Sequence, residues 1–270
     1  MIATNETEAR NEPIKRRHSI PAAIWFFLPL AAMTIVFFVL TMQWKETLLV
    51  ESFEISGTHI LSPSELIGLA GIQPDEPMYR CDLFEMQKRI CANPYVSEAR
   101  INRQFMNLLQ IEIVERTPFA SMSGSELRYL DSQGVVLPVR MTGAKFDLPL
   151  INGVKNIDSV KLGETVQDEN VSLGIQILQA GQAAGFYRTI SEVNMNNGGD
   201  VILYSAERGI PIMFGRDDIV KKMFMLQAFW TDFMNADSSS RAQYVDARFD
   251  GQIVVKWGPR TPQPQPKVQM

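Results

Sequence analysis

The chain has 270 residues, of which 46% are apolar and 21% charged, with a formal net charge of −4. That composition suits one or two folded domains and excludes the basic balance that marks a nucleic-acid-binding surface. Two cysteines are too few for a small disulfide-dependent scaffold.

Residues 1–18, MIATNETEARNEPIKRRH, are polar and without periodicity, which predicts a disordered tail. From Ser19 to Trp44 no residue is charged. As a helix this run would extend roughly 39 Å, more than the ~30 Å hydrocarbon core of a bilayer. Pro21 lies near its start, and the interior Pro29 is tolerable in lipid. Trp25 and Trp44 sit towards opposite ends, as interfacial anchors do. Arg10, Lys15, Arg16 and Arg17 precede the run, whereas Lys45 beyond it is offset by Glu46, Glu51 and Glu54. The positive-inside rule then places the tail in the cytoplasm and the remainder across the membrane. A cleaved signal peptide would have a shorter apolar core ending at small residues, and LTMQWKE is a poor cleavage site. The expectation is one uncleaved membrane helix over 19–44.

LLVESFEISG (Leu48–Gly57) places Val50, Phe53 and Ile55 at strand spacing, with a slip near Ser52. In SPSELIGLAG, Ser62 is a good N-cap, Pro63 suits the first helical position, Glu65 completes a capping box and Gly71 ends the helix. A second helix starts at Asp82, carries Glu85, Leu83, Met86 or Gln87, and Ile90, and ends before Pro94. Cys81 and Cys91 flank that helix, which puts their Cα atoms roughly 15 Å apart, beyond the ~7 Å reach of a disulfide. Two unpaired thiols with a packing role are expected. VSEARINRQF and NLLQIEIVER then read as strands. In the second, Leu109, Ile111 and Ile113 face one way, and Gln110, Glu112 and Val114 the other. Strand, helix, helix, strand, strand is a compact α+β module with helices on one face of a small sheet.

Downstream, ELRYLDSQGVVLPV reads as strand, turn, strand, and ENVSLGIQILQAGQAAG as a helix with Val171, Ile175 and Leu178 on one stripe. Gly174 and Gly181 weaken that helix by about 1 kcal/mol each relative to Ala, so close packing is expected there. SEVNMNNGGDVILYS is a hairpin with NNGG as its turn, and GIPIMFG a further strand. DDIVKKMFMLQAFWTDFMNA is the strongest helix, with Ile219, Met223, Leu226, Trp230 and Phe233 at helical spacing. Buried, each of these would contribute ~1.5–3 kcal/mol, so this stripe is expected to pack on its own sheet rather than to form a partner seam.

Chemistry is sparse. Of two histidines, His18 abuts the membrane run and His59 lies in a polar loop. There is no HExxH pair, nucleophile elbow, phosphate-binding loop or dinucleotide fingerprint, and SMSGS resembles a reactive serine loop only superficially. No catalytic residue, cofactor or metal is expected.

The last strands pose a different question. In YVDARFDGQIVVKW, Asp250-Gly251 suits a two-residue hairpin turn. Val245, Ala247 and Phe249 would share a face before it. After it, Ile253, Val255 and Trp257 would share one face, and Gln252, Val254 and Lys256 the other. Pro259 and the later prolines cannot extend the ladder, so 258–270 is expected to be a disordered tail. The terminal strand's free edge can be covered by the chain itself, protected by Lys256, or completed by a partner's strand.

FEISGTHILSPSEL and NPYVSEARINRQFMNLLQIEIVERTPFA resemble the POTRA domain of the bacterial cell division family FtsQ (DivIB). Glu115, Arg116, Pro118 and Ala120 resemble that family's domain junction. Asp131 and Gly134 in YLDSQGVVLP resemble the following hairpin, LPLING (Leu148–Gly153) the next segment, and YVDARFDGQIVV the closing hairpin. The order and spacing of these pieces carry the likeness from Ser19 to Trp257. Ala247 stands where the family commonly has a larger apolar residue.

The resemblance implies a bitopic inner-membrane protein. Its parts would be a cytoplasmic tail (1–18), a membrane helix (19–44), a POTRA domain (45–117), a mainly β domain with packed helices (118–257) and a C-terminal tail (258–270). It implies a division-septum scaffold, not an enzyme, with FtsB and FtsL among its divisome partners and an influence on septal peptidoglycan synthesis. It makes Arg248, Phe249, Gly251, Gln252, Ile253, Val254, Val255 and Trp257 the candidate partner-binding residues. For Ile253 and Val255, simple packing on the domain core is the competing role. Two other readings stay open: a POTRA-containing secretion or assembly factor, and a membrane-anchored cell-wall hydrolase or transpeptidase using Ser123 or Ser125.

Overall fold

In the computed structural model, the structure describes residues 22–46, 48–72, 76–105, 107–140, 146–154, 157–197, 199–235 and 241–259. The expected N-terminal tail, His18 included, the first residues of the expected membrane run (Ser19 to Pro21), and the expected C-terminal tail beyond Pro259 lie outside the described residues; Gly258, expected in that tail, donates its amide to Arg241 O at 2.7 Å. Helix α1 spans Ala22–Glu46, with Pro29 inside it. Its side chains are described from Phe27 to Gln43, and its large apolar residues there, Phe27 and Phe37 among them, are exposed. Among the described residues no helix is long and apolar enough to cross a membrane.

The next module follows the expected order. Strands β1 (Ser52–Ser56), β2 (Val96–Gln104) and β3 (Leu108–Glu115) form a sheet in the order β1-β3-β2, β1 parallel and β2 antiparallel to β3. Helices α2 (Pro63–Ala70) and α3 (Leu83–Cys91) bury Leu66, Ala70, Met86 and Ile90 against Ala99, Leu109, Ile111 and Ile113. The Ser62 hydroxyl caps α2 by accepting from Glu65 N, and the Asp82 carboxylate caps α3 by accepting from Phe84 N and Glu85 N. At Gly57 the backbone has φ +81°, and an added Cβ would meet Ile113 O at 2.0 Å, so both conformation and space demand glycine. Glu115 fastens the loop before α2 by accepting from the amides of His59, Ile60 and Leu61 at 2.7–2.8 Å. Cys81 and Cys91 are unpaired, the first buried and the second exposed.

Among the described residues the larger sheet contains nine strands. They are β4 (Ala120–Ser123), β5 (Leu127–Leu130), β6 (Val136–Pro138), β7 (Leu150–Asn152), β8 (Ile190–Asn197), β9 (Asp200–Ser205), β10 (Pro211–Met213), β11 (Ala242–Asp246) and β12 (Val254–Trp257). Their order is β12-β11-β10-β9-β8-β7-β4-β5-β6. Most neighbours are antiparallel, but β7 runs parallel to both β4 and β8, and β10 parallel to β11. LPLING thus supplies a central strand, with Ile151 fully buried. Helices α4 (Glu169–Ala184) and α5 (Ile219–Asn235) pack on this sheet, and α5 buries Met223, Leu226, Trp230 and Phe233 as its stripe predicts. The two α4 glycines are close-packing positions: a Cβ on Gly174 would meet Ile151 Cδ1 at 3.0 Å, and one on Gly181 would meet Ile190 Cδ1 at 3.2 Å.

The two sheets share a joint. Tyr129, Val135 and Leu137, from the β5–β6 hairpin, belong to the hydrophobic cluster of the smaller module. Tyr95 Oη donates to Pro138 O at 2.6 Å, Arg140 pairs with Glu65 at 3.0 Å and lies over the Tyr95 ring, and Arg116 pairs with Asp131 at 2.8 Å. Asp131 also accepts from the amides of Gln133 and Val135, shaping the turn expected at that position.

Candidate functional site

The nine-stranded sheet has two edges, and the chain treats them differently. At the β6 edge, Val136 N donates to Glu164 O (2.9 Å), Gly163 N to Val136 O (2.8 Å) and Val166 N to Gly134 O (3.0 Å). The segment 163–166 therefore covers that edge, and Pro138 has no amide hydrogen to offer. At the other end β12 pairs with β11, through Asp246↔Val254, Val245↔Val255, Tyr244↔Lys256 and Ala242↔Trp257. Among the described residues no strand pairs with its outer side. The outer strands of the small sheet, β1 and β2, also have free sides, but they carry the exposed polar residues Glu54, Glu98, Arg100 and Asn102. Around β12, by contrast, Phe249 (52% exposed), Val254 (44%) and Trp257 (43%) present apolar surface.

The alternation expected in β12 is present. Ile253 and Val255 pack against the main core, so their competing structural role is real. The Trp257 ring touches Phe233 of α5, with centroids 5.8 Å apart, and is nonetheless well exposed. Gln252, Val254 and Lys256 lie exposed on the opposite side, where the Lys256 ammonium sits 5.6 Å from the Tyr244 ring centroid.

The two-residue hairpin expected at Asp250-Gly251 is corrected by the register. Strand β11 ends at Asp246 and β12 begins at Val254, so the connection is longer and Arg248, Phe249, Gly251, Gln252 and Ile253 belong to it. Ala247 is fully buried and its amide still donates to Met213 O of β10 at 2.9 Å. A small side chain fits there because the strand continues against β10 while turning away from β12. Phe249 consequently does not share a face with Val245 and Ala247: both of those are buried, and Phe249 lies in the loop in solvent. Gly251, at φ +67°, and the Gln252 N to Phe249 O bond form the local turn.

Arg248 is not a free cation. Its guanidinium donates to both oxygens of Asp246, from Nε at 3.0 Å and Nη2 at 2.7 Å, and from Nη1 to Asp200 at 2.9 Å. Asp246 is 5% exposed, so a bidentate cation is what makes its charge tolerable there. The same contact holds the Asp246 carboxyl below its ordinary range and raises the Arg248 guanidinium. Lys221 of α5 pairs with Asp250 at 2.5 Å, lowering that carboxyl too, and the buried Lys222 donates to Asp217 at 2.6 Å. The site is therefore an edge strand preceded by a loop pinned to α5 and β9. Asp246, Asp200, Lys221 and Phe233 were not picked out in the sequence as parts of it. The short Asp246–Arg248 spacing at a strand end was the available signal.

Elsewhere the chemistry stays thin. Ser125 Oγ donates to Asp158 at 2.9 Å, and His59 lies in the loop before α2, anchored through its amide. Among the described residues no group of three His, Cys, Asp or Glu is placed to hold a metal. A cleft of about 550 Å³ separates the turn at Gly134 from α4, but its Asp168 carboxylate is engaged in capping that helix.

Comparison with known families matches these two modules in order. A model described as "POTRA domain, FtsQ-type" covers residues 48–116, and one described as "Cell division protein FtsQ/DivIB, C-terminal" covers 121–248. The second match ends at Arg248, just before the exposed loop and β12. Proteins named "Cell division protein FtsQ" are similar along much of the chain. That of Geobacter sp. (strain M21) is 28% identical over 215 residues, 78% of this chain and 77% of its own length. That of Geotalea daltonii is 28% identical over 207 residues (76% and 74%), and that of Syntrophotalea carbinolica 24% identical over 259 (93% and 91%). With both modules matched consecutively and these relatives aligned across them, the chain belongs to the FtsQ/DivIB family of cell division proteins.

Proposed function

We propose that this protein is a bitopic inner-membrane scaffold of the division septum, with both sheets in the periplasm, and that it captures a strand of FtsB, in complex with FtsL, along β12. Through those partners it helps control septal peptidoglycan synthesis. The observation that carries this reading is the asymmetry of the large sheet, covered at β6 and, among the described residues, without a strand on the outer side of β12. Strand addition takes its register from main-chain hydrogen bonds. Phe249, Val254 and Trp257 supply apolar area beside those bonds. Arg248, held by Asp246 and Asp200, acts mainly by fixing the loop. Gly251 and Gln252 shape the approach, and Ile253 and Val255 root the strand in the core. The membrane reading rests on the uncharged run in the sequence and on the exposed apolar residues of α1. We propose no catalytic role: the Ser125 hydroxyl is engaged by Asp158.

The test is co-purification of the full chain with FtsB and FtsL. Phe249→Asp and Trp257→Asp are expected to weaken capture by about 2 kcal/mol or more each, roughly thirty-fold in Kd, as interface hot spots do. Far-ultraviolet circular dichroism should stay unchanged. Undiminished capture by both folded variants removes these two side chains from the interface.

A further inference from the structure

The exit of the chain from α1 is fastened at several points. Leu49 bridges Pro77, Val50 N donates to Glu76 O at 3.1 Å, and Met78 N donates to Leu48 O at 2.7 Å. One residue further on, Glu51 N donates to Asn107 O at 3.1 Å, and Asn107 Nδ2 donates to the Glu51 carboxylate at 3.0 Å. These contacts draw two loops to the segment that leads into β1: residues 76–80 and the turn between β2 and β3. Each presents an aromatic ring to solvent. Phe105, two residues before Asn107, is 87% exposed, and Tyr79, next to Met78, is 51% exposed. Arg103 fixes the first loop to β2 by donating to Met78 O (3.0 Å) and Cys81 O (2.6 Å), and it lies 5.6 Å from the Tyr79 ring centroid.

A phenylalanine at a hairpin turn gains nothing from its own fold when it is this exposed. The distances suggest its use. Glu51 is five residues beyond the last residue of α1, so the turn it holds lies within about 17 Å of the helix end. The interfacial layer on each side of a bilayer is roughly 5–8 Å thick, and aromatic rings favour that layer. The contacts at Leu48 to Glu51 tie both loops to the start of the small module, so the two rings stay at the end of that sheet where the chain enters from α1.

We propose that Phe105 and Tyr79 form a second, peripheral membrane contact, entering the headgroup–acyl boundary of the bilayer that α1 crosses and so setting the tilt of the small sheet. This rests on the reading of α1 as a membrane span. Glu51, Asn107 and Arg103 then lie at headgroup level, where their polar groups stay hydrated.

The test uses the full chain with Cys81→Ala and Cys91→Ser, reconstituted in vesicles of phosphatidylethanolamine and phosphatidylglycerol. Nitroxide labels are placed one at a time through Phe105→Cys, Tyr79→Cys, Val36→Cys and Phe224→Cys, the last an exposed residue on α5. Power-saturation spectroscopy compares collisions with membrane-soluble oxygen and with a water-soluble nickel chelate. The expected result is a loss of nickel collisions at 105 and 79 relative to 224, with 36 the most shielded. A shielded label at 36, with 105 and 79 as open to nickel as 224, overturns the peripheral contact while the span stands. A label at 36 open to nickel overturns both. As a check on the native ring, Phe105→Asp should restore nickel collisions at the 79 label; no change would remove Phe105 as an anchor.

Discussion

Arg248 shows how an exposed side chain can be tied down at a surface by buried charge. Its fork closes on Asp246, a carboxylate with almost no access to water, and reaches Asp200 across the sheet. Arg248→Ala would leave that carboxylate buried without its hydrogen-bonded guanidinium, a loss of about 1–3 kcal/mol. Lys would restore the charge but not the two-pronged geometry. Faster amide hydrogen exchange over 246–250 should report both changes, with Lys intermediate. The pH dependence has a definite sign. The folded Asp246 carboxyl is held low by Arg248, so its contribution is complete above the ordinary carboxylate range near ~4 and disappears as pH falls through the folded value. Protection of 246–250 should therefore fall on acidification in the natural protein and respond less in Arg248→Ala. Equal pH responses in the two proteins would contradict this assignment.

Among the elements, α4 carries a test of close packing. Gly174→Ala improves helix propensity by about 1 kcal/mol, but the new methyl meets three atoms of Ile151 at 3.0–3.3 Å. Ile151 is fully buried beneath it, and overpacking costs ~1–3 kcal/mol, so crowding outweighs propensity. The substitution should lower the melting temperature, and adding Ile151→Val should recover part of the loss, a coupling that a double-mutant cycle detects. Helices of this kind were legible in the sequence because their signals are local: Ser62 and Asp82 at the starts of α2 and α3, Gly71 at the end of α2, and a stripe from Ile219 to Phe233 on α5. Strand β7 was not. Leu150–Asn152 is too short to show alternation, and its parallel partners lie far away in sequence, in β4 and β8. The turn at Asp250-Gly251 misled for a related reason. Its dipeptide suits a tight hairpin, but the pairing of Ala247 with β10 and the anchoring of Arg248 open a wider loop. Of the candidate site, the faces of β12 could be read from alternation; its position at an edge depends on pairings distant in the chain.

Across the whole molecule, the joint between the sheets decides how faithfully one module orients the other. Tyr95 is buried there, and burial pushes its phenol up to about 12. A group raised in this way holds its contribution below the unfolded value near ~10 and loses it as pH rises towards the folded one. The joint should accordingly loosen between about 10 and 12, and the larger domain, where burial likewise pushes Tyr187 up to about 12, should weaken over the same window. Arg140→Ala removes both the Glu65 pair and the cation over Tyr95. Spin-label distances between the two sheets should broaden in that variant at neutral pH, while each sheet keeps its own circular dichroism. An unbroadened distribution would mean that the shared apolar cluster fixes the orientation by itself.

The short pairing of the terminal strands has a mechanical consequence. Strand β12 is joined to β11 through four residue pairs, and β11 to β10 through two. A load pulling across the strands meets such bonds one after another and peels them, whereas a load along the strands must shear them together. A polypeptide added to β12, as proposed above, would resist tension best when drawn lengthwise, and the direction of pull would decide whether this corner of the sheet holds or tears.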